Sequence, residues 1–240
     1  MLFIHGFLLT RALWTSAAVA VVRHHHRAIL PDLRGHGATP PIDACSIADH
    51  ADDCADLLDH LGIGEPAVVV GLSMGGIIAM EFFARYRRRV RAIALVDCRL
   101  APESAAGRPV REAMARTALE GGSLAAGGSL LDLAFAPEAP AALRDQWRAI
   151  LERQPPRGIA AGARALADRP DHMSTAARVD VPTLVVCGEQ DAITPVDLMQ
   201  GIALSIPDSR FRTIPDAGHL TPIEQPALFQ GILLEFLGSL

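Results

Sequence analysis

Gly71-Leu72-Ser73-Met74-Gly75 stands directly after the aliphatic run Ala67 to Leu72 and directly before an apolar, helix-forming run from Gly76 to Tyr86. The leading run is short and β-branched at Val68, Val69 and Val70, which suits a buried strand. A strand that passes at once into a helix strains the residue between them, and small residues on either side let strand and helix approach closely. Ser73 is thereby presented at the carboxyl edge of a sheet, at a helix N-terminus whose free N–H groups favour developing negative charge. The pentapeptide alone is a weak signal. With strand and helix in place it marks a serine nucleophile.

Working outward, Leu2 to Ile4, Arg27 to Leu30, Ala92 to Val96, Thr183 to Cys187 and Arg210 to Ile214 also read as strands, being brief, aliphatic and bounded by turn residues. Helical patterns fill the intervals. The alternation predicts an α/β fold, a mostly parallel twisted sheet with helices on both faces. Ser46 is the predicted N-cap of a helix running to about Leu61, where Gly62 ends it. The other face of that helix carries Asp49, Asp52, Asp53, Asp56 and Asp59, a row read as solvated surface rather than a cation site. Between Cys98 and Asp180 the alternation lapses into Ala-rich, Gly-rich and Arg-containing helical segments. The expected organisation is therefore a core of residues 1–97 and 181–240 with a helical cap inserted at 98–180. Gly121, Gly122, Gly127 and Gly128 suggest a hinge within the cap. Phe135 and Trp147 are candidates either for a pocket wall or for packing between cap helices.

A serine hydroxyl needs a neutral imidazole to take its proton. Of nine histidines, His219 has the right position, in the loop Pro215 to Leu220 after the last strand and before the C-terminal helix. His24, His25 and His26 form a run at a helix end and read as surface, and His50, His60 and His172 as surface or packing residues. The acid that orients the imidazole should also follow a strand. Asp191, in the tight loop Gly188-Glu189-Gln190-Asp191, is preferred over Asp97 at the end of the strand Ala92 to Val96, and Glu189 is a weaker substitute. Both aspartates satisfy the chain order Ser, Asp, His. Two N–H donors are needed for the oxyanion, and Met74 and Phe7 are the expected sources, Gly6 letting the backbone turn. His5 and the turn Asp32 to Gly37 read as bracing.

Composition narrows the classes further. A chain of 240 residues, half of them apolar, suits one domain with an insertion. Its formal charge of −5, from 27 acidic and 22 basic side chains, offers no broad positive field for nucleic acid or an anionic membrane. Cys45, Cys54, Cys98 and Cys187 form no C-x-x-C pair and read as reduced thiols, with neither a zinc site nor a disulfide framework. No apolar run approaches the roughly 20 residues needed to span a bilayer. Met1 to Ile4 lacks the features of a signal peptide, so the expected address is cytoplasmic. Self-association as a homodimer stays open.

His5-Gly6-Phe7, the Asp32 to Gly37 turn, Gly71 to Gly76, Val181 to Leu184 with Gly188 to Asp191, and Gly218-His219 with Glu224-Gln225-Pro226 together resemble the α/β-hydrolase superfamily. The likeness spans nearly the whole chain outside the cap and is greatest to the carboxylesterase and 3-oxoadipate enol-lactonase type. It implies Ser73, Asp191 and His219 as a catalytic triad and no cofactor or metal. The implied activity is hydrolysis of a small carboxylic ester or lactone through an acyl-enzyme. Carbon–carbon hydrolysis or lyase chemistry with the same triad, and ligand sensing on the same fold, are the alternatives. Many relatives carry a β-hairpin ahead of the His-Gly strand, whereas here that strand begins at Met1. An aspartate in place of Ser73 would have implied a dehalogenase or epoxide hydrolase.

Overall fold

The computed structural model describes residues 1–240, the whole chain. Five parallel strands form one sheet in sequence order: β1 (Leu2–Ile4), β2 (Ala67–Leu72), β3 (Val90–Val96), β4 (Thr183–Gly188) and β5 (Ser209–Ile214). All but β5 are buried almost throughout, as strands covered on both faces must be. The expected strand Arg27 to Leu30 is instead a single bridge, Ile29 beside Leu2. Phe3 N–H donates to Ile29 and Ile29 N–H to Met1, each at 2.9 Å. The next donor along that ladder would be residue 31, which is proline and has no N–H, so the pairing stops after one rung.

The helices α1 (Thr15–Arg23), α10 (Thr221–Glu224) and α11 (Pro226–Leu237) pack together. Trp14, just ahead of α1, meets Phe3 of β1 at 5.4 Å and Phe229 of α11 at 5.8 Å between ring centroids. A second helical layer contains α2 (Ile47–His60), α3 (Met74–Arg85), α8 (Met173–Ala176) and α9 (Val196–Ser205), with α3 against the central strands. Ser46 caps α2 as its sequence predicts. Its hydroxyl accepts from Asp49 N–H at 3.1 Å while the Asp49 carboxylate accepts from Ser46 N–H at 2.7 Å. The acidic row on α2 is tied to arginines: Asp52 to Arg85, Asp53 to Arg34 and Asp59 to Arg89.

Between β3 and β4 lie α4 (Gly107–Gly121), α5 (Ser123–Ala134), α6 (Ala141–Glu152) and α7 (Pro156–Ala167), followed by α8. The break between α4 and α5 is at Gly122, whose φ of 89° requires glycine. Gly127 and Gly128 do not belong to a hinge, because both lie inside α5. A Cβ on Gly127 would come within 2.6 Å of the Leu8 side chain, so the glycine serves close approach of α5 to the loop after β1.

Three histidines are built into the core in neutral form. His5 Nδ1–H donates to Gly6 O at 2.8 Å and Nε2 accepts from Leu33 N–H at 3.0 Å, a pair of roles that only the neutral ring can fill. Burial, assisted by the neighbouring His36, pushes His5 down to about 3, and burial pushes His36 to about 4. His50 is likewise held at about 3, by burial first and then by His36. Unfolded histidines titrate near 6.5, so below that pH the unfolded chain binds more protons than the folded one. Stability is therefore lost as pH falls towards these folded values, by up to ~1.4 kcal/mol per pH unit for each ring. Urea titrations between about pH 7 and pH 5 should show the unfolding free energy dropping steadily, with a shallower slope in His50→Asn. A flat profile would mean that these rings accept protons without unfolding.

Candidate active site

The strain foreseen for Ser73 is present: its φ is 55°, in the left-handed region that residues with a Cβ avoid. Sterics on both sides of it explain the flanking glycines. A Cβ on Gly71 would lie 2.1 Å from Gly75 O, and one on Gly75 would lie 2.1 Å from Ile4 O. The elbow is thus clamped between its own helix and β1. Met74 is the first residue of α3, so its N–H has no acceptor within the helix. The loop after β1 comes equally close, since a Cβ on Gly6 would sit 3.2 Å from Ser73 Cβ. Phe7 follows in that loop and lines the same cavity as Ser73.

His219 is buried on the loop after β5, and its Nδ1–H donates to Asp191 Oδ2 at 2.8 Å. Asp191 is fixed from the other side. Its Oδ1 accepts from Ile193 N–H at 2.7 Å and Thr194 N–H at 2.9 Å, and the Thr194 hydroxyl donates to Oδ2. Burial opposes the charge on Asp191, but the bond to His219 and those from Thr194 outweigh it and hold its pKa below the ordinary carboxylate value. The His219 loop is itself anchored by Glu224, whose carboxylate accepts from Gly218 N–H at 3.1 Å, Leu220 N–H at 3.0 Å and Ala136 N–H at 2.7 Å. Burial nonetheless raises the Glu224 pKa. In the sequence Glu224 stands only within a resembling segment, and an acid followed by Gln-Pro at a helix start is the one signal of its role.

Ser73, His219 and Thr194 all line one cavity of about 210 Å³, together with leucines from the loop after β1 and from α5. Ser73 and His219 face the same cavity from different loops, at the ends of β2 and β5. The structure brings Phe7, Ser73, Asp191 and His219 to this one place, with Met74 beside Ser73. Asp97 is elsewhere engaged. One of its oxygens accepts from Gly188 N–H at 2.8 Å and the other from the Thr221 hydroxyl at 2.6 Å. Burial, then the nearby Asp191 charge, raises its pKa well above the usual range. Glu189 is bonded to the Thr213 hydroxyl on the surface. Asp97, Cys187 and Asp191 do offer ligand atoms within 4.8 Å of one another. Each is occupied by protein partners, and burial keeps the Cys187 thiol protonated, so the group is poorly suited to a cation.

The remaining candidates fall outside the cavity. Asp32 braces its turn by accepting from Arg11 and Ala38 N–H, at 2.8 and 3.0 Å. Phe135 and Trp147 are buried and do not line the cavity. His24, His25 and His60 are exposed, His26 is partly so, and His172 is buried beside Glu81 at 3.2 Å. No helix is long and apolar enough to cross a membrane.

Residues 1–226 match the family described as the alpha/beta hydrolase fold. A pimeloyl-[acyl-carrier protein] methyl ester esterase from Chromobacterium violaceum is 30% identical over 218 residues, covering 87% of this chain and 82% of that protein. The 3-oxoadipate enol-lactonase 1 of Acinetobacter baylyi is 27% identical, covering 92% and 82%. Among solved structures, a thermophilic esterase from Thermogutta terrifontis with malate bound superposes with a TM-score of 0.95 at 34% identity, covering 99% of this chain and 89% of that one. With its parallel sheet, strained serine elbow and inserted helices, the chain belongs to the hydrolases and esterases of the alpha/beta hydrolase fold family.

Proposed function

We propose that the protein is a serine hydrolase that cleaves a small carboxylic ester or lactone through an acyl-enzyme, with Ser73 as nucleophile, His219 as general base and Asp191 as its orienting acid. The observation that carries this reading is the strained Ser73 elbow opening on the same cavity as His219, whose Nδ1–H is held by Asp191. That bond leaves Nε2 as the basic nitrogen, the one able to take the Ser73 proton as the hydroxyl attacks the carbonyl carbon. The Met74 N–H, and the Phe7 N–H across the cavity, stabilise the oxyanion. His219 then returns the proton to the leaving oxygen, and water, deprotonated by the same ring, releases the acid and restores Ser73.

The cavity volume of about 210 Å³ supports a small substrate, since pockets that take drug-sized ligands run to roughly 300–1,000 Å³. Covalent labelling tests the assignment. A fluorinated alkylphosphonate should modify Ser73 alone, as read by peptide mass mapping, because no other serine combines an elbow with a base. Modification of a different serine, or none, would overturn the nucleophile assignment. The names of the similar esterase and lactonase agree with ester or lactone cleavage. Carbon–carbon cleavage by the same residues is separated from it by trapping the acyl-enzyme, which proton-transfer chemistry does not accumulate.

A further inference from the structure

The cavity is apolar around Leu8, Leu130 and Leu131, yet one side of its wall is strongly basic. Arg99, Arg111 and Arg169 all line it, and Glu103 is the only carboxylate that does. Their bonding separates them into two kinds. Arg169 is a structural cation: its side chain is 4% exposed, and it donates to Glu103 at 2.9 Å and to Ala101 O at 2.9 Å. Glu103 also accepts from Arg111 Nε–H at 3.1 Å. Burial works against the Glu103 charge, but Arg111 and Arg169 outweigh it and keep the carboxyl ionised. Glu103 therefore neutralises one guanidinium, and two positive charges remain over.

Those two are Arg99 and Arg111. Arg111 uses only its Nε–H on Glu103, so its terminal N–H groups have no protein acceptor, although its side chain is only 22% exposed. Arg99 makes one long bond, to Ile193 O at 3.4 Å. Arg111, largely withdrawn from water with unused donors, is costly to leave without an anion, while the exposed Arg99 adds its charge to the same wall, and the planar fork of each suits a carboxylate. An excess of one sign in a cleft with apolar walls also concentrates oppositely charged solutes there.

We infer that Arg99 and Arg111 form a carboxylate-recognition site, so that the preferred substrate is an ester or lactone bearing a free carboxylate in addition to the bond that is cleaved. This rests on the hydrolase reading above and narrows its substrate class. The carboxylate could sit on the acyl side or the alcohol side, and the chemistry of recognition is the same for both.

Two matched pairs of substrates separate these cases, with hydrolysis followed by proton release. Methyl hydrogen glutarate against methyl pentanoate places the charge on the acyl side; acetoxyacetate against acetoxyacetamide places it on the alcohol side. In at least one pair the charged member should have a kcat/KM about tenfold or more above its neutral counterpart, as charge-assisted bonds provide. The advantage should shrink as salt rises. Arg99→Gln, at an exposed position, and Arg111→Gln should each erode the ratio by raising KM for the charged ester. Arg111→Lys, which retains the charge beside Glu103, should keep more of it than Arg111→Gln and serves as the folding control. Turnover of the neutral esters with no preference in either pair, or a preference that survives loss of both arginines, overturns this inference alone. Failure to turn over any of the four overturns the hydrolase reading and this inference together.

Discussion

Ser73→Ala is expected to lower kcat by roughly 10⁶-fold, the loss seen when the nucleophile of a comparable triad is removed. Alanine keeps a Cβ, so the strain at φ 55° and the glycine contacts around it are unchanged, and only the oxygen that attacks the carbonyl is lost. The folded population should therefore be unaffected, with an unchanged urea midpoint and circular dichroism. A residual rate of roughly 10³–10⁴ over water should persist, because the backbone donors remain in place to polarise the carbonyl. Steady-state assays on purified variant decide it. Loss of activity accompanied by loss of folding would say nothing about chemistry, whereas a folded variant with substantial turnover would remove Ser73 from the mechanism.

Asp191→Asn is expected to lower kcat by roughly 10⁴-fold, and the hydrogen bonds around it say why. Oδ1 faces two backbone N–H donors, from Ile193 and Thr194, and a side-chain NH2 placed there would meet donors with a donor. Asparagine must therefore turn its oxygen to that side and its NH2 towards His219 Nδ1. The ring then accepts at Nδ1 and carries its proton on Nε2, the nitrogen that should take the Ser73 proton. The variant is thus folded but holds the wrong tautomer. Asp97→Asn should be mild, within about tenfold in kcat. Burial and Asp191 already favour its protonated form, and an amide can accept from Gly188 N–H while donating to Thr221. Measuring kcat for both variants, with folding checked, separates them. The reverse ranking would transfer the acid's role to Asp97.

The elbow was legible in sequence because its demands are local: a strand, two glycines and a helix within a few residues leave one way to turn. The cap of α2 by Ser46 was legible for the same reason. Asp191 and Asp97 could only be ranked, since both follow strands, and what distinguishes them is which loop faces His219 across the sheet edge. The segment around Ile29 reads as a strand because its apolar content registers in sequence, whereas the missing donor of Pro31 acts one residue further on and leaves a single bridge. Gly127 and Gly128 read as a hinge in sequence because a glycine for close packing looks there like a glycine for flexibility, yet both lie inside α5. The paired and unpaired arginines of the cavity left no trace at all. Arg99, Glu103, Arg111 and Arg169 are scattered over a segment with no strict periodicity, and only their convergence gives the charge a meaning.

The histidine loop and the end of α5 are joined more firmly than their distance in sequence suggests. His219 N–H donates to Ala134 O at 2.7 Å, Glu224 accepts from Ala136, and a Cβ on Gly218 would lie 2.5 Å from Ala136 N. The inserted helices are consequently bonded to the general base's own loop at residues 134–136, whereas Arg99, Arg111 and Arg169 make no hydrogen bond to that loop. Redesign for new substrates should respect this division. Changes on the arginine side retune which molecule is accepted, whereas changes at 134–136 disturb the proton relay itself and register in turnover before they register in selectivity.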